Sequence, residues 1–382
     1  MDSLGGKTAS NILVAGHICL DITPQFHSGE QDISRLFVPG KLINVGAASI
    51  HLGGAVGNTG LAMNFLGADV KLVGKIASDT FGGLVRGILD AHGCGENMII
   101  SDSGQTAYTI VIAVPGNDRF FLHNPSENDS FEAQDVSDEL MANARHLHFG
   151  YPTLMRRMFE DDGAELIKLF RRAKSFGLTT SLDITEVDPN SAAGRANWRK
   201  ILEKVLPLTD FFLPSIEEIC YILDYERYCR WGSRAEGKDP IYSLSRDIKP
   251  LAQELLGLGA AVVLLKCGAP GIYYESADGE RARALCESAG LNPEQWQGRA
   301  GFAESFHQSV VKNATGAGDT AIAAFLTAMT RGYSLERCVT LSAATGACCV
   351  SEYDALSGLK SFDTLERLIS DGWERNNICI LD

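Results

Sequence analysis

Short runs of β-branched and other apolar residues alternate with longer amphipathic stretches along most of the chain. The short runs predict strands at residues 12–15, 70–73, 147–149, 179–183, 211–213 and 262–266, and the stretches between them predict helices that include residues 160–176 and 198–206. Such alternation is typical of an α/β fold in which helices cover both faces of a parallel sheet. Ligands of such a sheet bind at the carboxyl ends of its strands.

Four segments interrupt this alternation. Residues 26–51 and 106–123 contain apolar positions at every second residue, which predicts antiparallel strands outside the main sheet. Residues 224–249 and 275–308 are polar and show no clear period. They are compatible with a flap on one side of a binding site or with surface loops, and we expect surface loops.

Composition fits one large α/β domain. The chain has 382 residues, of which 45% are hydrophobic and 21% are charged, so it has enough apolar content for a sizeable core. We expect residues 1–382 to form a single domain, because the glycine-rich segments described below lie in both halves of the chain and would have to meet in one site.

The charge balance restricts the class of partner. Lys and Arg number 34 and Asp and Glu number 48, which gives 34 − 48 = −14 with histidine neutral. This sign argues against a nucleic acid or an anionic membrane as the main partner. No apolar run approaches the length of a bilayer span, and the first residues lack a basic region followed by an apolar block, so we expect a cytoplasmic protein. The ten cysteines lack the spacing of a disulfide framework and are expected to be reduced.

The segment from Asn313 to Asp319 carries the most informative chemistry, because a Gly-Ala-Gly turn is followed by an acidic residue and then by an apolar helical run. Backbone amides at the start of a helix bind anions, and glycines let a phosphoryl group approach closely. Asp319 would otherwise repel that anion, so its position favours a role as the base that accepts a proton from an attacking hydroxyl. The alternative is an ordinary helix start with an acidic residue after a glycine turn.

Two more glycine segments lie in the first half of the chain. Residues 53–58 read Gly-Gly-Ala-Val-Gly-Asn and join a strand-like segment to a helical stretch, so Asn58 is expected to face a polar ligand. Residues 74–82 follow the strand at 70–73. There we expect a strand-to-helix turn in which Asp79 caps the helix.

Taken together, the three segments resemble the PfkB/ribokinase family of sugar and nucleoside kinases. The family's first signature has a Gly-Gly loop with an Asn four residues on, as at Gly54 and Asn58, and then a Gly-x-x-Gly-x-Asp-x-Phe-Gly segment. That segment is matched by Gly74, Asp79, Phe81 and Gly82, with Ala77 in place of one glycine. The second signature is matched at residues 316–319, with Asn313 and Ala314 where the family usually has Asp and Thr. The similarity runs from about residue 12 to about residue 359.

The resemblance implies a role for each matched position. Asp319 is similar to the family's catalytic base, and the amides of Gly316, Ala317 and Gly318 are similar to its anion hole. The acceptor pocket would include Asp21, Gly53, Gly54 and Asn58. The nucleotide side would include Lys266, Gly268, Ser215 and Thr315. Glu218 is similar to the glutamate that organises Mg²⁺ through water, although Ser215 stands where that motif has Asn.

The resemblance also implies a fold and an activity. The fold would be a ribokinase-like three-layer α/β/α arrangement with a mostly parallel central sheet, and the strands of residues 26–51 and 106–123 would form a small antiparallel lid. The activity would be the transfer of the γ-phosphoryl group of ATP, with Mg²⁺, to a hydroxyl of a small sugar or polyol. A homodimer is implied, and a monovalent cation such as K⁺ is left open.

Two other functions are left open. A nucleoside kinase of the same fold would need an apolar clamp for a base, which Phe26, Phe37 or Phe121 would supply. A non-catalytic sugar- or nucleotide-binding regulator would explain the departures at Ala77, Ser215 and Asn313, but it would have no need of a base at Asp319.

The histidines do not indicate a metal site. His17, His51, His146 and His148 lack Cys or acidic partners at the spacing of a zinc site. We expect them to be strand-end or packing histidines.

Overall fold

The computed structural model describes residues 12–27, 33–115, 117, 119–231, 242–376 and 378. Its strands are β1 (Ile12–Gly16), β2 (Cys19–Pro24), β3 (Ala48–Gly53), β4 (Val70–Val73), β5 (Lys75–Ala77), β6 (Ile99–Ser101), β7 (Tyr108–Ile112), β8 (Phe120–Asn124), β9 (His146–Gly150), β10 (Thr179–Asp183), β11 (Phe211–Phe212), β12 (Val262–Lys266), β13 (Gly271–Ser276) and β14 (Ala300–Glu304).

The helices surround the strands in chain order. They are α1 (Ile33–Leu36), α2 (Gly54–Phe65), α3 (Thr80–Ala91), α4 (Asp138–Ala142), α5 (Arg156–Phe159), α6 (Ala164–Ser175), α7 (Trp198–Val205), α8 (Ile216–Leu223), α9 (Tyr225–Arg230), α10 (Lys249–Gly257), α11 (Gly279–Ala289), α12 (Pro293–Trp296), α13 (Ala317–Thr330), α14 (Leu335–Cys349) and α15 (Phe362–Ser370).

The main sheet has eight strands in the order β14-β13-β12-β11-β10-β9-β1-β4. The six strands from β12 to β4 pair in parallel, while β13 and β14 add antiparallel pairs at one edge. The predicted α/β fold with a mostly parallel sheet is thereby confirmed. Because the six strands are parallel, their carboxyl ends meet at one edge of the sheet, where a ligand site is expected.

A hydrophobic core lies on each face of this sheet. Successive side chains of β1 point to opposite faces, so that Ile12 and Val14 enter one core and Leu13 and Ala15 enter the other. Helices α2, α13 and α14 cover the first face, and α6, α7 and α10 cover the second. Helix α13 is buried from Asp319 to Met329, which explains why its sequence is apolar on all sides.

A second sheet of four strands, in the order β3-β2-β7-β8, forms the lid sheet. Strands β3, β7 and β8 overlap the two segments predicted to contain antiparallel strands, but β2 lies before them, at residues 19–24. The β2-β3 and β7-β8 pairs are antiparallel, whereas β2 and β7 pair in parallel. Of residues 26–47, the described part has only the short α1 as regular structure. Residues 28–32, 116 and 118 of the predicted lid segments lie outside the described residues.

The expectation of surface loops at residues 275–308 is wrong. This segment contains the end of β13, helices α11 and α12 and strand β14, which extend the main sheet. Leu285 and Cys286 of α11 and Trp296 of α12 enter the core, whereas β14 has no β-branched residue that would mark it as a strand. In the other polar segment, α9 precedes residues 232–241, which lie outside the described residues.

Other expectations about local structure hold in the described chain. Asp79 caps α3 by accepting a hydrogen bond from the amide of Gly82 at 2.7 Å. The nine described cysteines are unpaired, and all but Cys229 are buried. Among the described helices, none combines the length and the apolar composition that a bilayer span requires.

Two of the histidines form a buried polar cluster at the centre of the sheet. His146 contacts the hydroxyl oxygens of Thr179 and Ser181, each at 2.8 Å, and His148 contacts the same Ser181 hydroxyl at 2.8 Å. Burial lowers the pKa of His146 to about 3 and lowers that of His148 well below its ordinary value. Both imidazoles are therefore neutral packing groups, as the sequence predicts.

We expect acid to destabilise the fold through His146. Between pH 6.5, the ordinary imidazole value, and about 3, the unfolded chain binds a proton that the folded chain does not. The free energy of unfolding therefore falls as the pH drops, by about 1.4 kcal/mol per pH unit. Between about pH 7 and pH 5, the free energy of unfolding of His146→Gln, measured with urea, should fall by about 2 kcal/mol less than that of the wild type. The control is His92→Gln, since His92 is exposed, and its stability should depend on pH as that of the wild type does. If His146→Gln also showed the wild-type pH dependence, this prediction would be contradicted.

Candidate active site

Asp319 lies in the first turn of α13 and is 4% exposed. Three side chains from distant segments donate hydrogen bonds to its carboxylate. Asn58 Nδ2 lies 3.0 Å from Oδ2, while Thr59 Oγ1 and Tyr151 Oη lie 3.1 and 2.7 Å from Oδ1. Helix α2 supplies the first two, and the chain that follows β9 supplies Tyr151.

The environment of Asp319 raises its proton affinity. Burial raises the pKa of the carboxyl above its usual value, and the bonds from Tyr151, Asn58 and Thr59 and the charge of Lys266 offset part of that rise. Tyr151 stays a phenol, because burial and the nearby carboxylates raise its pKa well above the usual value. A buried carboxylate of this kind can accept a proton from a ligand hydroxyl.

The glycine turn before α13 has the conformation expected of an anion-binding loop. Gly316 is the residue that precedes the helix and has φ +77°, a left-handed value that glycine adopts without strain. The amides of Ala317 and Gly318 belong to the first turn, where helices leave N–H groups for external acceptors. A Cβ atom on Gly318 would lie 3.4 Å from Lys266 Nζ, so the lysine lies directly beside this loop.

Lys266 is the cation of a buried charge cluster. It ends β12, and its Nζ donates to Asp183 Oδ1 at 2.9 Å. The side chains of Lys266 and Asp183 are 14% and 1% exposed. Burial lowers the pKa of Lys266, but the carboxylates of Asp183, Glu218 and Asp319 raise it above its usual value, so the ammonium form persists. Three carboxyl groups therefore face one ammonium group.

This excess of negative charge has a measurable consequence for the carboxyl groups. Burial raises the pKa of Asp183 and of Glu218, the charge of Lys266 offsets part of each rise, and the Asp319 carboxylate raises both further. Oxygen ligands with excess negative charge are the surroundings that Mg²⁺ prefers. The residues present therefore fit a magnesium ion accompanied by phosphate oxygens.

Ser215 and Glu218 start helix α8 as a capping box. The Ser215 hydroxyl accepts from the amide of Glu218 at 3.3 Å, and Glu218 Oε2 accepts from the amide of Ser215 at 2.9 Å. Ser215 also pairs with Lys266 across an isolated β-bridge. Both predicted residues thus lie at the carboxyl ends of the strands, next to the charge cluster. One carboxylate oxygen of Glu218 caps the start of α8.

The predicted acceptor residues lie where β2, β3 and α2 meet. Asp21 lies within β2 and pairs with His51 of β3, rather than in a turn after β1. A Cβ on Gly53 would lie 2.4 Å from the Asp21 carboxylate oxygens, so only glycine leaves them room. Gly54 has φ +79°, and a Cβ there would lie 2.5 Å from the His17 carbonyl oxygen.

Asp21 and Asp319 influence each other. Burial raises the pKa of the Asp21 carboxyl to about 6, and the charge of Asp319 contributes to the rise. Cys19 Sγ donates to Asp21 Oδ1 at 3.3 Å. The carboxyl predicted to bind the acceptor and the predicted base are therefore close enough to influence each other.

The lid sheet touches the glycine loop through Arg119. Its Nη1 donates to Asn313 Oδ1 at 2.6 Å and to the Thr315 hydroxyl. Asn313 Oδ1 also accepts from the Thr315 amide at 3.0 Å, so the asparagine organises the start of the loop. Gly268, the last of the predicted nucleotide residues, has φ +68° in the turn between β12 and β13.

Sequence reasoning missed several members of this site. Asp183 is the last residue of a strand that the pattern predicted to its exact bounds, so the rule for parallel sheets would have found it. Tyr151 follows β9 directly, so the same rule points to it. Thr59 and Arg119 carried no local signal, because only the packing of distant segments brings them to Asp319 and to the glycine loop.

Comparison with known proteins agrees with this geometry. The sequence profile described as the pfkB family of carbohydrate kinases matches residues 12–361. Fructokinase-2 of Oryza sativa subsp. japonica is 23% identical over 331 residues, which cover 83% of this chain and 84% of that protein.

Two solved structures share the fold. The fructokinase of Xylella fastidiosa with bound ATP superposes with a TM-score of 0.68 at 21% identity, covering 94% of this chain and 98% of its own. The ribokinase of Arabidopsis thaliana complexed with ribose and ATP gives a TM-score of 0.68 at 20% identity, covering 95% and 99%. These likenesses confirm a ribokinase-like fold.

We expect Lys266→Met to destabilise the protein strongly, because it leaves Asp183 and its neighbouring carboxyl groups buried without a cation. Removal of one partner of a buried ion pair costs about 3–5 kcal/mol. Lys312→Met is the matched control, since Lys312 pairs with Glu352 at the surface and such pairs contribute about 0–1 kcal/mol. Urea unfolding near pH 7 measures both free energies. Equal losses in the two variants would contradict the role given to the buried cluster.

Proposed function

Since this chain belongs to the pfkB family of carbohydrate kinases, we propose that it transfers the γ-phosphoryl group of ATP to a hydroxyl of a small sugar, with Asp319 as the base. The main support for this proposal is the buried Asp319 carboxylate at the start of α13, directly after the glycine loop. A carboxylate has roughly four acceptor positions. Asn58, Thr59 and Tyr151 use three of them, which leaves a position on Oδ2 for the hydroxyl of an acceptor.

The phosphoryl donor belongs on the side of Lys266 in this proposal. An enzyme of phosphoryl transfer acts mainly by positioning the reactants and by stabilising the negative charge of the phosphates, and it contributes little covalent chemistry of its own. The Gly316–Gly318 amides would hold the oxygens of the transferred group, and Lys266 would stabilise the charge that develops on the leaving phosphate. Magnesium, when bound, supplies charge neutralisation between the phosphates, and Glu218 and Asp183 are the oxygen donors that would hold it, in part through water.

The acceptor belongs on the side of Asp21. Its carboxylate would accept hydrogen bonds from sugar hydroxyls, while Gly53 and Gly54 leave room for the sugar beside the backbone. The lid sheet would exclude water, which competes with the acceptor for the phosphoryl group. The names of the fructokinase and ribokinase relatives favour a sugar over other alcohols. A homodimer, a K⁺ requirement and a single domain over residues 1–382 stay predictions.

Asp319→Asn should lower kcat by about 10² to 10⁴, the range typical of a general base. ADP release from MgATP measures this over a panel of sugars, sugar acids, inositols and nucleosides. Asp363→Asn is a matched control, since Asp363 is an exposed aspartate in the first turn of α15. A near-normal rate for Asp319→Asn would remove Asp319 from the role of base. Turnover with nucleosides alone would favour the nucleoside kinase, and intact ATP binding without any turnover would favour a regulator.

The contact between Arg119 and the glycine loop generates a second prediction. Arg119→Met removes charge-assisted hydrogen bonds worth about 1.5–3 kcal/mol each, so kcat should fall by about 10- to 100-fold. In this proposal the contact holds the lid sheet over the loop, so its loss should also raise the share of ATP lost to water. The two rates are measured as ADP release with and without acceptor.

The control for Arg119 is Arg86→Met. Arg86 pairs with Asp90 on the exposed face of α3. It should retain the wild-type rate and the wild-type ratio of transfer to hydrolysis. If Arg119→Met behaves as this control does, the lid contact has no part in catalysis.

A further inference from the structure

His17, Cys19 and His123 bring three metal-binding atoms together under the lid sheet. His17 lies in the link from β1 to β2, Cys19 begins β2, and His123 lies in β8. The ligand atoms of all three lie within 4.8 Å of one another. No local spacing predicted this cluster, because His123 is 106 residues away from His17.

The separation of the imidazole nitrogens fits a shared metal ion. His17 Nε2 and His123 Nε2 lie 3.2 Å apart. Two Zn–N bonds of about 2.0–2.1 Å at a tetrahedral angle place the nitrogens about 3.3 Å apart. The observed distance therefore requires almost no movement of either ring upon binding.

The surroundings also orient the ligands. His123 Nδ1 contacts the Thr109 hydroxyl at 3.1 Å, and the same hydroxyl lies 3.5 Å from Cys19 Sγ. With Nδ1 protonated, His123 donates to Thr109, and its Nε2 lone pair faces His17. Thr109 in turn donates to the sulfur. A ligand histidine held through its other nitrogen is the usual arrangement around protein metal ions.

The two neutral imidazoles share one N–H···N contact between their Nε2 atoms, and a bound ion would replace it. Nδ1 of the buried His17 has no hydrogen-bond partner among the described residues. The Cys19 proton faces Asp21 Oδ1 at 3.3 Å, which is a path for its release when a metal binds.

The cluster adjoins the acceptor side of the proposed active site. The rings of His17 and Tyr151 have centroids 6.0 Å apart, and Tyr151 donates to Asp319. Cys19 donates to Asp21. An ion held here would occupy space that the acceptor needs, and it would tie β8 of the lid sheet to the body of the protein.

We propose that His17, Cys19 and His123 bind one transition-metal ion, for which Zn²⁺ is the best match to two imidazoles and a thiolate. Asp21 or water completes the coordination. The bound ion excludes the acceptor and thereby inhibits the kinase. The inhibition rests on the proposed function, whereas the binding itself does not.

Metal binding is tested by titrating the full-length, chelator-treated protein with Co²⁺ as a spectroscopic probe for Zn²⁺. We expect one equivalent to produce a thiolate-to-cobalt charge-transfer band, which Zn²⁺ abolishes and Mg²⁺ leaves unchanged. Cys19→Ser should remove the band. Loss of a residue that only supports a metal ligand weakens metal binding by about 10- to 100-fold, so His123→Asn, which removes a ligand, should weaken Co²⁺ binding at least as much. Thr109→Val should retain the band with weaker binding.

A second His-x-Cys pair in the chain supplies the controls. His92 and Cys94 repeat the spacing of His17 and Cys19 but lie after α3, outside the cluster. His92→Gln and Cys94→Ser should bind Co²⁺ as the wild type does. Absence of the band in the wild type, or an equal band in Cys19→Ser, would overturn the site.

Inhibition is measured separately, with Zn²⁺ held at a buffered free concentration and MgATP constant. The apparent KM for the acceptor should rise with Zn²⁺ in the wild type, and the rise should be smaller in His123→Asn. Stoichiometric Co²⁺ binding without any effect on the acceptor KM would retain the site and overturn the inhibition. Co²⁺ binding in a protein that turns over no acceptor would retain the site while rejecting the proposed function.

Discussion

The burial of the Asp319 carboxylate is the interaction on which the arrangement of the site depends. A buried charge without hydrogen-bond donors is too costly to retain. The donors come from α2 and from the chain after β9, as far as 261 residues away in sequence. Helix α2 therefore has to pack against α13 with little freedom, and α2 in turn begins at Gly54, which lies against the His17 carbonyl in a left-handed conformation.

The second constraint is a shortage of positive charge. Lys266 is the ammonium group among the carboxyl groups of Asp183, Glu218 and Asp319, all of which lie at the carboxyl edge of the parallel strands. Alone, such a cluster raises the proton affinity of its members. A ligand that brings cations relieves the repulsion, and phosphates can then enter beside the lysine. Burial and this imbalance together raise the pKa values of the carboxyl groups, and the imbalance also accounts for the fit to magnesium.

The lid sheet meets the body of the protein at two chemically different places. Arg119 reaches the loop before α13 through Asn313 and Thr315. His123 meets His17 on the acceptor side. One contact supplies positive charge near the expected phosphates, and the other supplies soft ligands near the expected sugar. The lid sheet therefore contacts both halves of the site.

The sequence by itself determined the α/β class, most strands of the main sheet and the glycine loop with Asp319, because each depends on residues that are neighbours along the chain. It failed at β2, which is short and pairs with two strands that lie far along the chain, and at residues 275–308, where β14 has no β-branched residue and pairs only at the edge of the main sheet. Only the tertiary structure decided which side chains surround Asp319, that Lys266 faces Asp183, and that His17, Cys19 and His123 meet. The physical reason is that these contacts join segments far apart in sequence, and local periodicity carries no information about which distant segments will pack together.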